Sequence, residues 1–206
     1  MLTIHTADAV LGAPDGADSV AVDGGIVVAV GPYERVSAAF PAARVRRWSG
    51  LIGRGLVNVT APELLEAVYH PDPREAGTLG TEPLSGTALD PLALDDARWG
   101  ASARRGLQRM LRHGTTAVAG TFARPTVRTA VARSGLRLLP PVDRDAWPPV
   151  SLDPLAGPGA PVGPPAVEGP ADLAVFGVRD AAELAARGAG SCVATVLGGR
   201  LLFRAS

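Results

Sequence analysis

Between residues 140 and 170 the chain runs through Pro140-Pro141, Pro148-Pro149 and Pro164-Pro165, and proline, glycine and alanine together dominate the stretch. Proline fixes φ and has no amide hydrogen, so a stretch of this kind sustains neither a helix nor a central strand. Residues 141–169 therefore read as a linker or meandering loop. Regular structure has to come from the segments on either side of it. The chain thus divides into residues 1–56 and 170–206, rich in strand signals, and residues 57–140, more helical.

The first block predicts strands. Ser19-Val20-Ala21-Val22 and Ile26 to Val30 flank Asp23-Gly24-Gly25, and Asp-Gly between β-branched runs predicts a hairpin with a type I′ turn, both central residues at positive φ. Tyr33 to Phe40 reads as a helical turn stopped by Pro41, and Ala43 to Trp48 alternates like a strand. The last block mirrors the first. Ala171 to Phe176 reads as a strand, and Val193–Leu197 with Arg200–Phe203 flank Gly198-Gly199 as a second hairpin.

In the middle block, Gly55-Leu56-Val57-Asn58 reads as a short buried strand entered through a glycine turn. Thr60 stands three residues before Glu63, and Leu64, Leu65 and Val68 come after at helical spacing, which predicts a capping box. Residues 71–95, poor in periodicity, read as a long loop. Trp99 to Arg112 predicts a helix with Ala103, Leu107, Met110 and Leu111 as its apolar stripe, closed at His113-Gly114. Thr115 to Ala119 predicts a buried strand, Pro125 to Ser134 a helix begun by proline, and Leu136 to Leu139 a third strand.

The order of these pieces resembles a known family. Val22-Asp23-Gly24-Gly25-Ile26 onward to Gly31-Pro32, then Phe40 to Val45, is similar to the small β-sandwich that precedes the barrel of metal-dependent amidohydrolases of the cytosine deaminase, chlorohydrolase and imidazolonepropionase type. Gly55 to Asn58 resembles the first barrel strand, Gly106 to Val118 the first-unit helix and second strand, and Ala171–Phe176 with Gly198-Gly199-Arg200 the returning C-terminus. The resemblance implies an α/β fold: a β-sandwich from residues 1–56 and 170–206, and at 57–140 a truncated remnant of two or three βα units. Eight units need on the order of 200 residues or more, so no barrel closes here.

The resemblance also implies a Zn or Fe site that activates water for hydrolysis or deamination of non-peptide carbon–nitrogen bonds. Its first two ligands form a His-x-His pair. Those positions fall here on Thr60 and Pro62, and the chain's three histidines, His5, His70 and His113, never take that spacing. Threonine is a poor ligand for these metals and proline offers none. The expectation is an inactive remnant that acts by binding or assembly, with no cofactor. The alternative is a hydrolase or deaminase with a rebuilt site, for which Glu63, His70 and Asp72 are the candidates: a histidine with carboxylates near in sequence can form a general base or half a metal site.

Each remaining candidate has a plain structural reading, and that reading is the expectation. His113 favours the negative end of a helix dipole; His5 is exposed or hydrogen-bonded in a strand; Asp95-Asp96 starts a helix. Cys192 is a buried small side chain. Arg44, Arg46 and Arg47 beside Trp48 form a solvated strand face. Acids and bases balance at 20 each, so no overall field draws nucleic acid or membrane. Every base is arginine, which with abundant Ala, Gly and Pro reads as GC-rich bacterial coding bias. No signal peptide is read in Met1 to Val10 and no run spans a bilayer, so the expected compartment is the cytoplasm. Unclosed parallel strands need cover, which predicts a homodimer or a complex with another protein. The substrate is not specified by the sequence.

Overall fold

The computed structural model describes residues 1–142, 149–156 and 162–205. Residues 143–148 and 157–161 of the expected linker, with Pro148, lie outside the described residues. In chain order the elements are β1 (Leu2–Thr6), β2 (Ala9–Val10), β3 (Ser19–Asp23), β4 (Ile26–Gly31), α1 (Tyr33–Ala39), β5 (Arg44–Arg47), β6 (Leu51–Arg54) and β7 (Leu56–Asn58). Next come α2 (Ala61–Glu66), β8 (Val68–Tyr69), α3 (Ala76–Leu79), β9 (Leu84–Ser85), α4 (Asp96–Leu111), β10 (Thr115–Ala119), α5 (Pro125–Ser134) and β11 (Arg137–Leu139). The chain returns through β12 (Leu173–Phe176), α6 (Ala181–Arg187), β13 (Cys192–Leu197) and β14 (Arg200–Arg204). The class is mixed α/β with several sheets.

The chain divides into two compact units. The first gathers residues 1–56, 111–116 and 153–206 and carries two sheets, ordered β4-β3-β1-β5 and β14-β13-β12-β6-β2. The second sheet is built from both ends of the chain: β12 pairs antiparallel with β6 and with β13. Val20, Val22 and Val27 of the first sheet share one buried cluster with Ile52, Leu173, Val175, Ala194 and Val196 of the second. Alternation along each strand supplies that inner face, because successive side chains point to opposite sides.

Both predicted hairpins are present. Gly198 and Gly199 each have positive φ, 55° and 76°, as the type I′ geometry needs. At the first hairpin only Gly24 does, at 56°, which corrects the type I′ expectation there. Gly55 is required for a different reason. A Cβ on it would stand 2.1 Å from the Thr116 hydroxyl oxygen, a distance no side chain tolerates.

The second unit comprises residues 57–110 and 117–152. Its strands belong to a three-stranded sheet ordered β11-β10-β7, with β10 and β11 parallel. β10 is buried along its whole length, as its apolar run predicts. α4 buries Ala103, Leu107 and Met110 of the stripe read from the sequence, and Leu111, its fourth member, is half-buried. α5 starts and stops as its Pro125 and Gly135 predict; Gly135 takes φ of 80° in the left-handed region. Residues 71–95 are not one loop. They hold a 3₁₀ turn at Pro73–Glu75, α3, the strand β9 that pairs with β8, and a second 3₁₀ turn. Elements this short carry too little periodicity to be read from sequence.

Candidate functional site

The place where the resemblance would put a metal is the C-terminal end of β7. Asn58 ends that strand with its side chain buried, and its Oδ1 accepts from the Thr60 amide at 2.9 Å, a local turn that Asn favours. Thr60 is 3% exposed, and its hydroxyl sits 3.1 Å from Asn58 Oδ1 and 3.2 Å from the carbonyl oxygen of Ser151, sharing one proton between two acceptors. The same oxygen accepts from the Ser151 amide at 3.3 Å, and Asn58 Nδ2 donates to the Ser151 carbonyl at 2.9 Å. Two side chains and one residue's backbone thus satisfy one another. A buried hydroxyl without partners would cost on the order of 1–3 kcal/mol.

This overturns the capping-box expectation for Thr60 and Glu63. α2 does begin at Ala61, but Thr60 has φ −98° and ψ 13° instead of extended backbone, and its side chain makes no cap bond. The hydroxyl is turned back to Asn58 and Ser151. Pro62, the other ligand position, occupies the first turn of α2 and lies against Gly120 just past β10, where an added Cβ would come within 2.5 Å of Pro62 Cγ. The donor set does not suit Zn or Fe: one hydroxyl already bonded three ways, one ring without a lone pair. No step can be routed through a metal held by these residues.

A capping box does form further along the chain, in a different pair. Asp72 Oδ1 accepts from the Arg74 amide at 3.0 Å, and Glu75 Oε2 accepts from the Asp72 amide at 3.0 Å, around the 3₁₀ turn at Pro73. Asp72 also pairs with Arg105 of α4 at 3.1 Å, and Glu75 with Arg98 at 2.7 Å. Tyr69 donates its hydroxyl to Glu75 Oε2 at 2.7 Å. That bond, with those from the Asp72 amide and Arg98, holds the Glu75 carboxyl below its ordinary range.

His70 is fully buried among these groups. Its amide donates to Ser102 Oγ at 2.8 Å, and its carbonyl accepts from Arg105 Nε at 2.8 Å. Nε2 is 3.0 Å from the Leu64 carbonyl, which assigns the proton to Nε2. Nδ1 is buried without a hydrogen-bond partner among the described residues. Burial, the largest cause, with the charges of Arg109 and Arg105, pushes the pKa down to about 4, outweighing the Leu64 bond. The ring is neutral at pH 7, and neither nitrogen meets a carboxylate among the described residues. Arg105 is what joins His70 to Asp72, through a backbone oxygen on one side and a carboxylate on the other. Glu63 stands half-buried on α2. Among the described residues no three His, Cys, Asp or Glu side chains converge as a metal site would need.

The other sequence candidates have structural places. His5 is buried and accepts from Trp48 Nε1 at 3.2 Å on Nδ1, with the two rings edge to edge and nearly coplanar, 4° apart. Burial and the Arg46 charge lower its pKa to about 4. His113 lies just past the end of α4. Asp95 caps that helix, accepting from the Arg98 amide at 2.7 Å. Cys192 is buried, and burial raises its thiol pKa. Two residues of the site, Ser151 and Arg105, carry no signal in the sequence. Ser151 sits in the proline-rich stretch, where nothing marks a long-range backbone contact, and Arg105 is one of several arginines on α4.

Residues 20–43 match the family model described as imidazolonepropionase-like composite domain, bacteria. No curated protein matches the chain. Among solved structures, guanine deaminase from Bradyrhizobium japonicum aligns at 15% identity and TM-score 0.46, over 68% of this chain and 34% of its own. A. niger ochratoxinase aligns at 17% and 0.43, over 68% and 31%. Helicobacter pylori aminofutalosine deaminase aligns at 14% and 0.43, over 68% and 33%. The chain spans about a third of the length of each of these structures. The family-model match covers the first hairpin and helix alone, and over that stretch the chain is similar to the imidazolonepropionase-like composite domain.

Proposed function

We propose that this is an amidohydrolase-like protein that has given up the family's metal chemistry and acts by binding or assembly. The observation that carries the reading is the lock among Asn58, Thr60 and the Ser151 backbone at the end of β7. A position that would hold a metal ligand is spent on holding the chain's own backbone. In this reading the two sheets of the first unit are the family's composite β-sandwich, and β7, β10 and β11 with α4 and α5 are what remains of its barrel. Residues 141–169 link the two. The working form is a homodimer or a complex with another protein, because β11 is an edge strand whose Leu138 is 58% exposed.

The test is an ammonia-release assay on a panel of aminated heterocycles, with Zn²⁺ or Fe²⁺ supplied. The expected result is no release above the protein-free blank. Turnover that is abolished by His70→Ala in a folded variant would overturn the proposal and establish a rebuilt site.

A further inference from the structure

The arginines beside Trp48 acquire a setting that the sequence does not show. β5, Arg44-Val45-Arg46-Arg47, is an edge strand: it pairs in parallel with β1 and has no second neighbour among the described residues. Trp48, just beyond it, donates its amide to the Thr6 carbonyl at 2.9 Å. Backbone groups of alternate residues in a strand turn to opposite sides, so the amides and carbonyls of Val45 and Arg47 turn away from β1. Val45 is 37% exposed.

The edge is flanked by positive charge on both faces. Paired residues of parallel strands share a face, which places Arg44 and Arg46 with Thr3 and His5, and Val45 and Arg47 with Ile4 and Thr6. Arg204, at the end of the other sheet's edge strand β14, lies with its guanidinium carbon 5.7 Å from the Trp48 ring centre, which brings it to the same place. None of Arg44, Arg46, Arg47 and Arg204 is in an ion pair among the described residues. Carboxylates of the same unit are spent on backbone amides: Asp8 on Gly50, Asp18 on Tyr33 and Asp172 on Gly198.

We propose that the open edge of β5 is a docking site for an extended acidic peptide segment, which adds as a further strand to the β4-β3-β1-β5 sheet. Main-chain hydrogen bonds to Val45 and Arg47 supply the pairing, and carboxylates set against Arg44, Arg46, Arg47 and Arg204 supply selectivity. A second copy of β5 is disfavoured, since it would set arginines against arginines. A single-stranded nucleic acid is disfavoured as well. It would need free aromatic faces, but the Arg204 guanidinium stands over the Trp48 ring and Arg47 stands 4.8 Å over the Tyr33 ring.

The probe is a fluorescein-labelled peptide of alternating Glu and Val, titrated with the whole protein and followed by anisotropy. Oligothymidylate of equal charge is the comparison. The expected result is peptide binding that weakens about tenfold or more with Arg44→Glu plus Arg46→Glu, and similarly with Val45→Pro, which removes an outward amide and spares those that face β1. Oligothymidylate should bind at least about tenfold more weakly than the peptide. Equal binding of oligothymidylate, or undiminished peptide binding by a folded Val45→Pro variant, overturns the proposal. Amide exchange of the wild-type protein gives a readout that no variant's folding can confuse. Peptide should slow exchange at Val45 and Arg47; unchanged exchange at saturating peptide, or no binding at all, overturns the proposal too.

Discussion

Single residues show how tightly the candidate site is committed to structure. Gly106 lies inside α4, where Ala would ordinarily gain about 1 kcal/mol. A Cβ there would stand 2.7 Å from His70 Nε2 and 2.7 Å from Leu65 Cδ2, and the imidazole is held by the Leu64 carbonyl. Overpacking costs about 1–3 kcal/mol. Gly106→Ala should therefore lower the melting temperature; a rise would show that the His70 ring is loose. Thr60→Val keeps the shape and removes the hydroxyl, leaving the Ser151 amide without that acceptor. The expected loss is about 1–3 kcal/mol in urea unfolding, and a neutral result would mean the Ser151 contact does not hold the chain.

His5 and His70 make a pH prediction at the same scale. Both have folded pKa values of about 4 against an ordinary 6.5, so the unfolded chain binds more protons between those limits. Stability is full above about pH 6.5 and falls as pH drops toward 4, by ~1.4 kcal/mol per pH unit for each histidine. Urea midpoints measured between about pH 7 and 5, where carboxylates stay ionised, should decline. His70→Gln should reduce the slope by about half. A flat profile would contradict the burial of both rings.

At the scale of elements, caps and charges do what the sequence allows, but not always where its patterns point. Thr60-x-x-Glu63 has the capping spelling and does not cap, because Asn58 and Ser151 compete for the hydroxyl; Asp72-Pro73-Arg74-Glu75 caps. Glu66 takes up two orphan amides at the start of α5, from Ala123 at 3.1 Å and Arg124 at 2.6 Å. Glu66→Ala should cost about 1–2 kcal/mol by thermal or urea melts, more than an exposed glutamate would, and a change within a few tenths would show that the cap is replaceable. Long elements are legible in the sequence because their apolar spacing repeats: α4 by Ala103, Leu107 and Met110, β10 by its unbroken run, and α5 by its proline start and glycine stop. The illegible part depends on contacts across sequence. The Thr60–Ser151 bonds join residues 91 apart, and Arg105 reaches His70 from 35 positions away. No local pattern encodes either.

At the scale of the whole chain, the second sheet of the first unit needs both ends of the sequence, while among the described residues the sheet of β7, β10 and β11 ends at β11, where Leu138 is exposed. Sedimentation velocity at micromolar concentration should show a dimer, or a monomer that a partner protein converts to a complex. The described residues include no helix long and apolar enough to cross a membrane. If the family's metal position has become a structural lock, the protein should carry no bound metal. The most direct test is the metal content of protein purified without chelator, by inductively coupled plasma mass spectrometry. The lock predicts Zn and Fe far below one equivalent per chain. One equivalent of either metal, lost on His70→Ala, would contradict it.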